Sequence, residues 1–204
     1  MMLRVATISP DTEAEGPGRR FAIWVQGCSI RCAECCNPEM FDARRGTETA
    51  LADLDTQLAA AKLAGVEGVS ILGGEPFDQP TGIAALARAA KHHGLTVMIY
   101  SGYYLTELRT RAAADPAAAE ALALADLLVD GRYDHVQPEP PPPIGRRWIG
   151  SANQTMHFLS EAYSAADPRM RTANTIEIRI QNGKILINGW PSASALLARR
   201  APRS

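Results

Sequence analysis

Cys28, Cys32, Cys35 and Cys36 are the only cysteines in this 204-residue chain. With no cysteine elsewhere to pair across a fold, they argue against a secreted disulfide framework and for a metal site in a reducing compartment, so the expected location is cytoplasmic. The order Cys28-Ser-Ile-Arg-Cys32-Ala-Glu-Cys35 lets one short loop direct three thiolates at one metal cluster and leaves a fourth metal position open. Thiolates select iron–sulfur clusters or zinc. A structural zinc site is closed by four ligands, usually supplied as two separated pairs. Cys36 is a poor fourth ligand because its side chain would have to turn back from beside Cys35, and the sequence holds no second Cys-x-x-Cys. An iron–sulfur cluster with an open iron is therefore the preferred reading, and zinc the alternative.

The second chemical feature is Gly73-Gly74-Glu75-Pro76, which follows an apolar run at 69–72. The glycines permit close approach of a ligand to the backbone, and the carboxylate suits an ammonium group. Taken alone, such a turn serves equally well to connect a strand to a helix. Together with the cysteines it is specific.

These groups must be positioned by regular elements. Residues 3–8 and 21–26 read as strands, separated by a turn-rich stretch at 11–20. Leu51, Leu54, Leu58 and Ala61 share one face of a helix that Gly65 ends, and 69–72 is a buried strand. Ile83, Leu86, Ala87 and Ala90 mark a second helix, with His92 and His93 in its last turn and Gly94 as its cap, and a strand follows at 95–100. A helix at 104–113, an Ala-rich helix opened by Asp115 and Pro116, and a strand at 126–130 complete the alternation. Repeated βα units predict a parallel sheet. The residues at 28, 73, 101 and 130, each just after a strand, should gather at its C-terminal edge. Pro138 and the prolines at 140–143 predict an extended loop. Residues 176–187 alternate around Asn182-Gly183, a signal for a β-hairpin.

Composition narrows the function. The chain is 46% hydrophobic and 21% charged with a formal net charge of −1. That is the profile of an ordinary folded protein without the basic excess of a nucleic-acid binder. The N-terminus reads as a first strand and not as a signal peptide, and no stretch reaches membrane-spanning length, so neither nucleic acid nor membrane is an expected partner. His92 and His93 suit a helix C-terminus, and His135 and His157 have no partner at ligand spacing. Arg132 reads either as a site residue or as half of a surface ion pair.

With these residues in hand, the sequence resembles the radical S-adenosylmethionine superfamily. Cys28, Cys32 and Cys35 reproduce its Cys-x3-Cys-x2-Cys loop, and Gly73 to Pro76 its Gly-Gly-Glu-Pro motif. The resemblance implies a partial (β/α) barrel core over residues 1–160, with an extension carrying the β-hairpin at 161–204. It implies a 4Fe-4S cluster on the three cysteines, with S-adenosyl-L-methionine on the fourth iron. Gly73, Gly74 and Glu75 would contact the methionyl amino group, and backbone atoms around Glu34 and Cys36 the adenine. Ser101 and Asp130 would lie near the methionyl and ribose portion.

Within the superfamily the chain is most similar to the small activating proteins of anaerobic ribonucleotide reductase. The stretches Gln26 to Pro38, Leu128 to Tyr133 and Trp148 to Gln154 carry the likeness. That likeness implies a glycyl radical enzyme as partner, an electron donor such as flavodoxin or ferredoxin, and chemistry carried by the cofactor, so no catalytic side chain is nominated. Two alternatives stand beside it. One is a radical enzyme acting on a small molecule or peptide, and the other a non-catalytic zinc or iron–sulfur protein.

Overall fold

A computed structural model describes residues 1–181 and 184–189. Seven strands form one sheet: β1 (Met2–Thr12), β2 (Arg20–Val25), β3 (Thr47–Ala50), β4 (Gly68–Gly73), β5 (Thr96–Ser101), β6 (Leu127–Asp130) and β7 (Thr155–Phe158). Their order is β3-β1-β2-β4-β5-β6-β7. The central four, β2, β4, β5 and β6, are parallel, and β1, β3 and β7 join antiparallel. The sheet is thus mostly parallel and open, with β3 and β7 at its edges. A separate hairpin pairs β8 (Ile176–Gln181) with β9 (Lys184–Gly189), which places strands on both sides of the Asn182-Gly183 turn signal. The turn residues themselves lie outside the described ones.

Four helices accompany the sheet: α1 (Leu51–Leu63), α2 (Pro80–His92), α3 (Leu105–Ala114) and α4 (Pro116–Leu124). Leu54, Leu58, Ile83, Leu86, Ala87 and Ala90 are buried in one core with Phe21, Ile23, Val69, Ile71, Val97 and Ile99 of the central strands. Because side chains alternate across a strand, the intervening residues Ala22, Trp24, Leu72, Met98 and Val129 occupy the other face. That second face is covered by Trp148, Ile149 and Tyr163 from the segment after β6. Burial on both faces explains why these strands read as continuous apolar runs.

The local signals act as the residue chemistry dictates. Asp115 accepts the Ala117 and Ala118 N–H groups at the start of α4, with Pro116 supplying a preset φ. Gly65 and Gly94, at φ +88° and +66°, end α1 and α2 in the left-handed region. The proline stretch forms neither helix nor strand and is tied to the segment after it by a bridge between Pro138 and Ser151, by the Glu139 N–H bond to Gly150 O and by the Glu139–Arg146 ion pair. At the end of the sheet away from the cysteines, the fully buried Arg20 ties three strands together. Its guanidinium donates to Val69 O, Ser70 Oγ, Thr96 Oγ1 and the Tyr163 hydroxyl. With no carboxylate bonded to it, burial lowers its pKa.

Candidate cofactor site

Parallel strands end on one side, so the loops after β2, β4, β5 and β6 meet there. A cavity of about 500 Å³ opens at that edge, lined by Cys28, Cys32, Cys35 and Cys36, by Gly73, Gly74 and Glu75, and by Ser101, Gly102 and Gly131. The gathering expected from the βα pattern is observed for these residues. Two of the expected positions stand apart. Glu34 is exposed, at φ +54°, and does not line the cavity. Asp130 is buried on the helical side of the sheet, where its Oδ2 accepts the Leu105 N–H at 2.6 Å and lies 3.0 Å from His157 Nε2. It therefore anchors the N-terminus of α3, and His157 has a partner that sequence spacing did not reveal.

The cysteine loop is held by backbone contacts at both ends. Gly27 N–H donates to Met40 O at 2.8 Å, and Gln26 Nε2 bridges the carbonyls of Glu39 and Asp42. Ser29 gives its N–H and its hydroxyl to the two oxygens of Asp78, at 2.7 and 2.9 Å, which binds the loop to the turn after β4. Glu75 N–H completes the link by donating to Gly27 O at 2.8 Å. Inside the loop Arg31 and Glu34 adopt positive φ, which tightens the turn that carries the cysteines.

The donor set suits an iron–sulfur cluster. Backbone N–H groups of Ile30 and Arg31 reach the Cys28 sulfur, that of Tyr133 reaches Cys32, and that of Asn37 reaches Cys35 at 3.5 Å. Such N–H···S bonds favour anionic sulfur and tune a bound cluster. The Cys36 thiol donates to the Cys35 sulfur, which lowers the Cys35 pKa and raises that of Cys36. Burial acts the other way on Cys28 and Cys32, pushing both thiols up in the absence of metal. Among the described residues no three Cys, His, Asp or Glu side chains converge as a single ion requires.

The turn after β4 shows what its glycines do. Gly73 has φ +109°, and an added Cβ would collide with the Val25 backbone. At Gly74 it would collide with the Gly27 carbonyl, so this turn and the cysteine loop touch backbone to backbone. The Glu75 carboxylate is fully buried. Oε1 accepts the Phe77 N–H and the Ser101 hydroxyl, and Oε2 the Gly102 N–H, all at 2.8–2.9 Å. Glu75 thus fastens the loop after β4 to the loop after β5. Burial outweighs these bonds and pushes its pKa up to about 7.

A folded-state pKa above the ordinary 4.5 means that the folded protein binds the extra proton between those two values, so stability is lost as pH rises from about 4.5 to about 7. Glu15, also raised to about 7, contributes in the same direction. Unfolding midpoints of the apoprotein should fall across that window. In Glu75→Gln, neutral throughout, the fall should be shallower; an unchanged slope would remove Glu75 from this account.

Sequence reasoning missed several cavity walls. Trp24, Leu72 and Tyr100 come from the inner face of the sheet, Trp148 and Gln154 from the irregular segment beyond β6. Gln154 explains the Trp148 to Gln154 stretch: its Oε1 accepts the N–H groups of Gly150 and Ser151, while its Nε2 donates to Gly131 O. Asn153 donates to Arg132 O. Two motif stretches separated in sequence are thereby clamped to each other beside the cavity. Arg132 itself forms a bidentate pair with Glu107, at 2.8 and 3.0 Å, the surface ion pair of the two readings above.

A three-thiolate loop at the C-terminal edge of a mostly parallel α/β sheet, with a glycine turn packed against it, defines a cluster-binding α/β protein. Residues 14–157 match the 4Fe-4S single cluster domain family. An anaerobic ribonucleoside-triphosphate reductase-activating protein of Salmonella typhi is 30% identical over 156 residues, covering 71% of this chain and 91% of the relative. One from Vibrio cholerae is 28% identical over 155 residues, with 72% and 93% covered. A pyruvate formate-lyase-activating enzyme of Listeria monocytogenes is 35% identical over 79 residues, 37% of this chain and 32% of that enzyme. The chain belongs to the 4Fe-4S single cluster family of radical S-adenosylmethionine proteins that includes the anaerobic ribonucleotide reductase activators.

Proposed function

We propose that this protein is a radical S-adenosylmethionine activase that installs a glycyl radical on a partner enzyme, in the manner named for its anaerobic ribonucleotide reductase-activating relatives. The observation that carries the reading is the shared cavity of Cys28, Cys32 and Cys35 with Gly73, Gly74 and Glu75. When bound and reduced, a 4Fe-4S cluster supplies the single electron that cleaves S-adenosylmethionine.

In this reading the three cysteines hold the cluster. Backbone atoms of Gly73 and Gly74 receive the methionyl amino group, and those around Cys36 and Glu34 the adenine. Glu75 and Ser101, bonded to each other, fix the shape of the amino-acid end. Asp130 acts at one remove by holding the start of α3. The open, mostly parallel sheet is then the partial barrel of the superfamily, and a flavodoxin or ferredoxin in the cytoplasm is the electron donor.

The test is anaerobic. Reconstituted, reduced protein is incubated with S-adenosylmethionine, with and without the host's anaerobic ribonucleotide reductase. Both 5′-deoxyadenosine and a glycyl radical signal in electron spin resonance are expected when the reductase is present. Abundant 5′-deoxyadenosine with no glycyl signal would favour a small-molecule or peptide substrate, and a colourless protein carrying one zinc would overturn the radical reading altogether.

A further inference from the structure

The family match ends at residue 157, yet the hairpin of β8 and β9 forms part of the cavity that contains the cysteines. It is seated on the stretch after β1. Glu13 N–H donates to Glu177 Oε1 at 2.6 Å, Asn188 Nδ2 to Ser9 Oγ at 3.2 Å, and Gly189 N–H to Glu15 Oε1 at 2.9 Å. These contacts bring Arg179, Ile187 and Asn188 to the cavity wall. Arg179 is held from one side by Glu177 at 3.0 Å.

Trp148, only 6% exposed, also lines this cavity, and its indole Nε1–H has no acceptor among the described residues. A buried donor left without an acceptor is destabilising, so it marks a place where an incoming acceptor is favoured. The backbone at Trp148 is in the left-handed region, at φ +59°, and its ring carries the Arg147 guanidinium at 4.1 Å, so the indole is held from behind. The same cavity is lined by the apolar and aromatic Trp24, Leu72 and Tyr100 and by the polar Glu15, Glu39 and Gln154.

We infer that the C-terminal hairpin is an acceptor-recognition wall, and that Arg179 with Trp148 Nε1 binds carbonyl oxygens of an extended peptide segment of the partner. The inference rests on the activase reading and deepens it. Extended backbone is a ladder of neutral acceptors spaced about 3.3 Å per residue, which two separated donors on the wall of one cavity can engage. The hairpin thereby selects the partner, while the matched core makes the radical.

The test uses the cluster-loaded protein with S-adenosylmethionine under anaerobic conditions. The probe is an acetylated, amidated nine-residue peptide centred on the radical glycine of the host's anaerobic ribonucleotide reductase, with a fluorescein-labelled form for anisotropy. Trp148→Phe, which keeps the ring and loses the donor, and Arg179→Ala should each weaken peptide binding about tenfold or more, the scale of one lost hydrogen bond. The loss should appear in KM, with kcat little changed. Unchanged Kd and KM in Trp148→Phe and in a folded Arg179→Ala would overturn the inference, and if Arg179→Ala does not fold, Trp148→Phe decides alone. Wild-type protein that releases 5′-deoxyadenosine but never forms a glycyl radical, on peptide or on reductase, would instead overturn the activase reading.

Discussion

Cys32→Ala should lose the brown chromophore, the acid-labile sulfide and all formation of 5′-deoxyadenosine above that of free iron and sulfide in buffer. The size of the effect follows from ligand count. In the proposed site three thiolates hold the cluster and leave the fourth iron for S-adenosylmethionine, so removing one would leave two protein ligands for four irons. Cys36 is the one cysteine outside the triad. Cys36 also lines the cavity, but its thiol is engaged with the Cys35 sulfur, and its place next to Cys35 keeps it from the position of Cys32. Cys36→Ala should accordingly keep the iron and sulfide content of the wild type. The pair of variants separates a three-ligand cluster from a four-cysteine zinc site, in which both would lose metal. Metal and sulfide analysis after anaerobic reconstitution reads the difference, and sulfide retained in Cys32→Ala would contradict the ligand assignment.

The second large effect is expected at Gly74. A methyl group there would lie 2.7 Å from the Gly27 carbonyl carbon and closer still to its oxygen, and both obstacles are backbone, which has no rotamer to yield. The Glu75 N–H bond to Gly27 O passes through the same contact. Gly74→Ala must therefore push the turn after β4 away from the cysteine loop. Overpacking of this kind costs about 1–3 kcal/mol. Because the displaced turn also forms the amino-acid end of the proposed cofactor site, S-adenosylmethionine affinity should fall about tenfold or more, the equivalent of about 1.4 kcal/mol. Denaturant midpoints and calorimetric titration of S-adenosylmethionine into the reconstituted variant check the two parts. A wild-type midpoint would show that the loop and the turn are not in firm contact.

Much of this arrangement was legible in the sequence because its determinants are local. Gly65, Gly94 and Asp115 mark helix ends through φ and capping, and Ile83, Leu86, Ala87 and Ala90 of α2 are all buried as its period requires. The cysteine spacing and the glycine turn identify the cofactor edge for the same reason. What was not legible is non-local. The edge strands β3 and β7 are four residues each, with no fully buried side chain, so neither leaves a distinctive pattern. β1 runs on to Thr12, into a stretch rich in turn formers, because β2 pairs with it there.

The same distinction holds in the site. Asp130 ends a strand at the expected edge, but strand alternation turns its carboxylate to the helical side, toward Leu105. Glu75 reads as a ligand carboxylate, and its bonds to Ser101 and Gly102, 26 and 27 positions away, carry no local signal. Trp148 becomes a cavity wall only because Gln154 and Asn153 clamp its segment to Gly131 and Arg132. The contact of Gly189 with Glu15 spans 174 positions, and no local signal announces it. In each case the residue type was visible and its partner was not.

The central claim, that the cysteine edge and its cavity serve to take a hydrogen atom from a partner's glycine, is tested most directly by isotope transfer. The partner reductase is prepared with glycine deuterated at Cα and incubated anaerobically with the reduced, reconstituted protein and S-adenosylmethionine. Mass spectrometry then reads the 5′-deoxyadenosine. One deuterium in the 5′-deoxyadenosine, in proportion to the glycyl radical formed, is the result predicted here; 5′-deoxyadenosine free of deuterium would contradict it.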